Sequence, residues 1–458
     1  MGQLDQWRSV AGLEQLAELE QLAGLARLAE RLEQLEQLEQ LGEHLSHPDL
    51  EAGCPQPLPN SQTGVRARLL QASEEEFGPL DLLVVQPTPF CNIDCRYCYL
   101  PDRNSKKRIS SDTLERLFAR VFASELVRGG FTVVWHAGEP LVLRPDFYEA
   151  AFTIAARHNR AHIAIAHSFQ TNGMLIDQAW CDLIKRYQVH IGVSVDGPAF
   201  LHDAQRRTRA GRGTHAQVMT GIQLLQDNGI PFHVISVLTR DVLDYPDELF
   251  AFYVDHGIRH VGFNVEEIEG PHSQSSLGQP DVEARFRRFL GRFFDLVNQN
   301  DHPFRVREFD SVIAAVLHGG RDKPLRTQET QPFAIVSVDC DGNFCCFSPE
   351  LLGLKSGRYG DFVFGNVCTD SLETGRTSPA FRALHADIVA GVEQCRRTCS
   401  YFEFCGGGAP VNTYCENGAF DSTETLFCRL NRKALVDVIL DKLQPVPLAP
   451  AASTGEGH

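Results

Sequence analysis

The sequence has 458 residues, of which 43% are hydrophobic and 22% charged, and its formal net charge is −16. These values fit a globular chain of two or three domains and exclude a collagen, a wholly disordered chain and a small disulfide scaffold. No apolar run is long enough to span a membrane, and the start lacks a basic segment followed by an apolar one. The acidic balance argues against nucleic acid or an anionic membrane as a partner, so a cytoplasmic protein is expected.

In chain order, residues 1–46 form a low-complexity segment rich in Leu, Glu and Gln. Its leucines recur mostly every third residue, so on an α-helix they spiral around the axis instead of forming one stripe. A helix-prone segment without a heptad seam is expected. Residues 47–78 read as a linker. From residue 79 to about 300, β-rich runs at Leu80–Gln86, Thr132–His136, Ile163–Gln170, His190–Val195, Phe232–Leu238 and His260–Val265 alternate with helical stretches. The helices are expected at Ser111–Val127, Pro145–His158, Asp177–Tyr187, Thr214–Asn228, Pro246–His256 and residues 281–299. This rhythm predicts an α/β fold with a parallel sheet, either open or closed as a partial barrel, whose ligand site lies at the carboxyl ends of the strands. Residues 301–331 read as a bridging region and 332–430 as a small Cys- and Gly-rich domain. A C-terminal helix (431–445, with Asn431–Leu443 as its core) and a tail at 446–458 expected to be disordered follow.

The 14 cysteines are unevenly placed. Without an export signal, clustered thiols bind metal more often than they form disulfides. Cys91, Cys95 and Cys98 follow the first strand, on a loop at the expected ligand face. Three close thiolates can hold three irons of a [4Fe–4S] cluster and leave the fourth iron open. A zinc site is the alternative, but it normally closes with a fourth ligand. Further on, Cys395, Cys399, Cys405 and Cys428 surround the run Gly406-Gly407-Gly408. Four thiolates can close a complete cluster, or a structural zinc site.

The group Cys91, Cys95, Tyr97 and Cys98 resembles the signature of radical S-adenosylmethionine (SAM) enzymes. The later cysteines resemble the SPASM extension of those that modify peptides, although three residues separate Cys395 from Cys399 where two are usual. Longer runs, among them Val134-Trp135-His136-Ala137-Gly138-Glu139-Pro140-Leu141 and Phe347-Ser348-Pro349-Glu350-Leu351-Leu352-Gly353, resemble the GrrM-like branch of SPASM peptide maturases. The resemblance implies a partial (β/α)6 radical SAM barrel followed by a SPASM domain. It also implies a SAM-binding [4Fe–4S] cluster on Cys91, Cys95 and Cys98 and an auxiliary cluster on Cys395, Cys399, Cys405 and Cys428. Cys340, Cys346, Cys368 and Cys415 are the donors available for a second auxiliary cluster. Around SAM it places Tyr97 near the cluster or adenine, and Ala137, Gly138, Glu139 and Pro140 at the methionine amino group. Asn172, Ser194 and Asp196 fall along the ribose and methionine, and Arg206 at the carboxylate.

The implied activity is cleavage of SAM to methionine and a 5′-deoxyadenosyl radical, followed by cyclophane formation on a ribosomal precursor peptide. An aromatic ring carbon is joined to the β-carbon of a nearby residue. Such chemistry needs an electron donor such as flavodoxin or ferredoxin, and a base, for which Glu266, Glu267, Glu308 and Asp310 are candidates. Alternatives on the same scaffold are sulfatase-maturase-like oxidation of Cys or Ser and thioether formation. A non-catalytic iron–sulfur or zinc protein is the reading from another class.

Overall fold

The computed structural model describes residues 77–318 and 327–443; the low-complexity segment, nearly all of the linker and the tail lie outside them. One mixed sheet organises the described chain. Strands β1 (Leu82–Val85), β2 (Phe131–Trp135), β3 (Ile165–Thr171), β4 (His190–Ser194), β5 (His233–Leu238) and β6 (His260–Val265) follow in order, each parallel to the next. Helices α1 (Ser111–Ala123), α2 (Pro145–His158), α3 (Gln178–Tyr187), α4 (Ala199–Gln205), α5 (His215–Asp227) and α6 (Pro246–Asp255) connect them. Local chemistry sets several helix starts. The Ser110 side chain accepts from the Thr113 amide, Asp177 accepts from Trp180, and Pro145 occupies a first-turn position that needs no donor.

Helix α1 stops four residues short of its expected end. Ser124 is extended, its hydroxyl takes the Leu126 amide, and Leu126 turns inward so that its carbonyl meets the Leu80 amide. The sheet also exceeds the six strands expected. Beyond β6, Arg305–Val306 adds an edge strand β7, followed by α8 (Arg307–His318). On the other side, β8 (Ile335–Val338) lies parallel to β1 and continues antiparallel into β9 (Asn343–Cys345) and β10 (Gly365–Asn366). The Cys-rich region therefore begins as an extension of the same sheet. It continues through α9 (Pro379–Thr398) and α10 (Pro410–Asn417), and the chain's last described helix is α11 (Leu435–Leu443).

The outer core is aromatic. Trp135, Tyr148, Phe152, Phe169 and Trp180 pack between the sheet and α2 and α3. On the far side Phe293, on α7 (Val282–Gln299), is fully buried against Phe250, Phe263, Phe289, Phe304 and Phe309. Removing that ring leaves a cavity that five rigid neighbours cannot fill. Phe293→Ala should cost about 3–5 kcal/mol, read as a lower midpoint in chemical denaturation; an unchanged midpoint would place this cluster outside the cooperative core.

Candidate active site

Cys91, Cys95 and Cys98 occupy the loop that leaves β1, at the carboxyl end of the sheet. The loop carries little regular structure and is held by its neighbours. The Cys91 amide donates to the Arg103 carbonyl, the Asp94 amide to Arg207 and the Arg96 amide to Gln205, and Ile93 bridges Thr208. Arg209 donates to the Cys91 carbonyl from Nε at 3.0 Å and Nη2 at 2.9 Å, and also reaches the Arg103 carbonyl and Asn104. Arg209 had no assigned role in the sequence reading; only its place in a basic run three residues after Arg206 pointed to it.

The turn after β2 braces the loop from the other side. Ala137 and Gly138 both have positive φ, and a β-carbon on Gly138 would lie 2.4 Å from the Thr88 carbonyl oxygen and 2.8 Å from that of Phe90. Glycine is required there by close backbone approach. The Glu139 amide donates to the Phe90 carbonyl at 2.8 Å, and Pro140 continues into a short 3₁₀ turn. The Glu139 carboxylate accepts from the Leu141 amide, the Asn172 amide and the Thr171 hydroxyl at 2.9, 2.8 and 2.6 Å. It thus ties the tips of β2 and β3 together. Burial pushes its carboxyl up to about 7, against those three hydrogen bonds. Asn172 Nδ2 in turn donates to Asn92 at 2.7 Å and lies 3.8 Å from the Cys91 sulfur.

A second buried knot lies beneath Cys95. Arg206 makes a two-pronged pair with Asp196, Nε to Oδ2 at 2.9 Å and Nη2 to Oδ1 at 3.0 Å, and the two residues are 6% and 0% exposed. The Tyr97 hydroxyl donates to Asp196 Oδ2 at 2.5 Å, the Val237 amide donates to Oδ1, and Arg206 lies over the Tyr97 ring. The guanidinium holds the Asp196 carboxyl below its ordinary value despite burial. Ser194 accepts from Gln170 beside this knot. Tyr97, Asp196 and Arg206, taken from separate motifs, are therefore one network joining the cysteine loop to the tips of β4 and β5.

The three thiols feel one another electrostatically. Burial pushes Cys91 and Cys95 up to about 12; the Glu139 carboxylate adds to this at Cys91, while Arg206 opposes it at Cys95. Three partly buried thiols on one loop, with glycine clearing the backbone beside them, fit a cationic group bound through three sulfurs.

The four base candidates separate. Glu266 accepts from the Ser276 amide at 2.8 Å and so closes the turn after β6. Glu308 accepts from the Phe263 amide at 2.8 Å and from Arg307, and Asp310 pairs with Arg305 at 2.9 Å. Arg305 sits opposite His260, at the end of β6 away from the cysteines, so Asp310 stands apart from the cysteine loop, whereas Glu308 is engaged by the β6 backbone and Arg307. Glu267 is different. It meets Glu269, accepts from Asn412 Nδ2 at 2.6 Å and feels Glu350. Burial pushes Glu267 up to about 7 and Glu269 well above the carboxylate range. Glu269, His272, Lys355, Tyr414 and Cys415 line a pocket here, and a His272 ring nitrogen reaches the Cys98 carbonyl at 3.1 Å. The sequence reading missed Glu269, Glu350 and Asn412, because residues so far apart in sequence meet only through the fold.

Cys395, Cys399, Cys405 and Cys428 line one pocket, with Gly407 and Gly408 in its wall. No three of the described His, Cys, Asp or Glu side chains converge tightly enough to hold a single ion. The other donors are dispersed. Cys340 and Cys368 lie on neighbouring turns, with Asn366 donating to the Asp341 carbonyl between them. Cys345, paired with Ser337 and through it with Val84, faces the sheet interior and feels Glu350, whereas Cys346 feels Arg376. Cys415 lies in the acidic pocket.

Residues 85–253 match the Radical SAM superfamily model. The chain is 46% identical over 393 residues to the uncharacterized protein sll1766 of Synechocystis sp., covering 85% of this chain and 98% of that one. It is 23% identical over 347 residues to the cysteine-type anaerobic sulfatase-maturating enzyme of Clostridium perfringens, covering 72% and 88%. Its fold is similar to that of anSMEcpe with bound AdoMet and Cp18Cys peptide (TM-score 0.66, 19% identity, 79% and 97% covered). It is also similar to that of Streptococcus suis SuiB bound to precursor peptide SuiA (TM-score 0.54, 13% identity, 87% and 88% covered).

The Asp196–Arg206 pair supplies one stability test. Asp196→Ala leaves a buried guanidinium without its carboxylate and should cost about 3–5 kcal/mol. Denaturant titration of the protein without added iron would read that loss separately from any effect on cofactor loading; an unchanged stability would mean that Arg206 finds water or another partner.

Proposed function

The chain belongs to the radical SAM family of enzymes, and from that premise we propose that it joins an aromatic ring carbon to the β-carbon of a nearby residue in a ribosomal precursor peptide. Cys91, Cys95 and Cys98 would hold a [4Fe–4S] cluster. The surrounding tips would hold SAM: Tyr97 beside the cluster or adenine, Ala137 to Pro140 at the methionine amino group, Asn172 and Ser194 along its length. Asp196 and Arg206 act as one unit there: Asp196 takes Nε and Nη2 of the guanidinium and so fixes Nη1 for the SAM carboxylate. When bound, cluster and SAM together supply the group that abstracts hydrogen from substrate. The reaction is placed in the cytoplasm, with flavodoxin or ferredoxin as electron source.

The observation that carries this reading is the acidic pocket beside Cys98. Forming the crosslink removes two hydrogens. One leaves as an atom; the other leaves the ring as a proton and an electron. Of the four candidate carboxylates, Glu267 meets Glu269, which lines this pocket, and burial pushes it up to about 7, the range a proton acceptor needs. Asn412 orients it, and Glu269 lies beside it. The electron needs an acceptor, and the pocket of Cys395, Cys399, Cys405 and Cys428 would hold an auxiliary [4Fe–4S] cluster. Cys340, Cys346, Cys368 and Cys415 do not form a matching set, which favours one auxiliary cluster over two. The likeness to the sulfatase-maturating enzymes supports a second reading, oxidation of a Cys or Ser in a protein substrate. It too needs a proton acceptor, so the product's mass and crosslink decide between them.

Anaerobic reconstitution with iron and sulfide, then SAM and dithionite, tests the family chemistry. Production of 5′-deoxyadenosine with about eight irons per chain is expected, and about twelve would require a second auxiliary cluster. Replacing Cys91, Cys95 and Cys98 together by Ala should abolish 5′-deoxyadenosine; full peptide modification by that variant would refute the assignment. Glu267→Gln should retain 5′-deoxyadenosine formation but lower crosslinked product about 100-fold or more. Equal product from Glu267→Gln and the parent would remove Glu267 as the proton acceptor.

A further inference from the structure

The chain is strongly acidic, yet the solvent side of its cysteine loop is basic. Arg96, Lys106, Arg108, Arg209 and Arg212 are exposed there. The strip is continuous. Ile93 bridges Thr208, Thr208 donates to the Arg212 carbonyl, and Arg209 spans from Cys91 to Asn104. Its acidic neighbours are largely spent: Asp94 pairs with Arg103 at 2.8 Å, and Asp341 pairs with Lys107 at 2.7 Å. Asp203 is turned inward to accept the Thr214 and His215 amides. Asp102 is the other exposed carboxylate of this stretch. Lys106, Arg108 and Arg212 make no ion pair among the described residues. The proposed reaction at the cysteine loop uses none of these charges.

We propose that this strip, with Lys106 and Arg108 on the segment after the cysteines and Arg212 on the segment that bridges the loop, is the docking surface for an acidic one-electron carrier protein. The proposal rests on the radical SAM reading for its purpose. In each turnover the reduced carrier loses one electron, and the cluster held by the loop gains it. Charge decides the occupant. A net charge of −16 disfavours an acidic carrier on the chain as a whole, and a local basic field beside the thiols steers it to the place where the electron is needed. Arg209, itself exposed and bonded to the Cys91 carbonyl, makes this the solvent face of the thiol-bearing loop.

The test uses the full chain and flavodoxin, an acidic FMN protein, as probe. The variant Lys106→Glu, Arg108→Glu and Arg212→Glu in one chain should lower flavodoxin-driven 5′-deoxyadenosine formation about tenfold or more. Dithionite-driven formation should be unchanged. Independently of activity, the Kd for oxidised flavodoxin should rise in the variant. For the parent it should rise as ionic strength goes from about 0.01 M to about 0.15 M, where the Debye length shortens from about 30 to about 8 Å. A Gln version of the same three positions should fall between parent and Glu variant, and matching circular dichroism excludes misfolding. An unchanged flavodoxin Kd and flavodoxin-driven rate would overturn the proposal. So would a variant that loses binding of an oligo-glutamate peptide while keeping flavodoxin binding, which would make the strip a peptide surface. If the parent forms no 5′-deoxyadenosine even with dithionite, the family reading fails by itself, and the flavodoxin Kd still decides whether the strip docks an acidic carrier.

Discussion

Three partly buried thiols crowd one short loop, and burial raises Cys91 and Cys95, with the Glu139 carboxylate raising Cys91 further. Such a loop does not hold itself in place: it has almost no internal ladder, and ionising its thiols sets like charges together. The surrounding structure supplies what the loop lacks. The β2 turn backs it with a glycine that admits no side chain, and the segment after α4 binds it with backbone bridges. Arg103 and Arg209 hold its carbonyls from outside. The parallel sheet matters for function mainly because it brings four strand tips to this loop.

The buried charges divide into two kinds. Asp196 and Arg206 satisfy each other, and the guanidinium keeps the carboxylate ionised. Among the described residues Glu267, Glu269 and Glu350 have no comparable cation, and burial raises all three. The first arrangement fixes geometry, because breaking it strands a charge. The second can take up and release a proton, because neither protonation state is strongly favoured at Glu267 near neutral pH. Both lie within reach of the cysteine loop, one under Cys95 and the other beside Cys98.

Most of the architecture was legible from periodicity. Each expected barrel strand and helix is present, with ends shifted by a few residues, because alternating apolar runs and capping residues are local signals. The sheet's extra strands were not legible. Two-residue strands such as β7 and β10 carry no period, and β8 is recognisable only beside β1. The cysteine spacing located the loop, and the motifs located Tyr97, Asp196 and Arg206 one by one. Their union into a single network was hidden, since their contacts span about one hundred residues. Glu308 and Asp310 illustrate the converse: as carboxylates near a domain junction they looked suitable, and each is taken up by an arginine, Arg307 and Arg305.

The sequence by itself determined the strand–helix rhythm, the thiol clusters and the family motifs, because each is written in neighbouring residues. Only the tertiary structure decided which carboxylates are paired and which are left to titrate. It alone brought Glu267, Glu269, Glu350 and Asn412 together beside one pocket, and it set a basic strip over the cysteine loop of an acidic chain. The physical reason is that pKa and surface field depend on distance, burial and partner, and in this chain the partners come from segments remote in sequence.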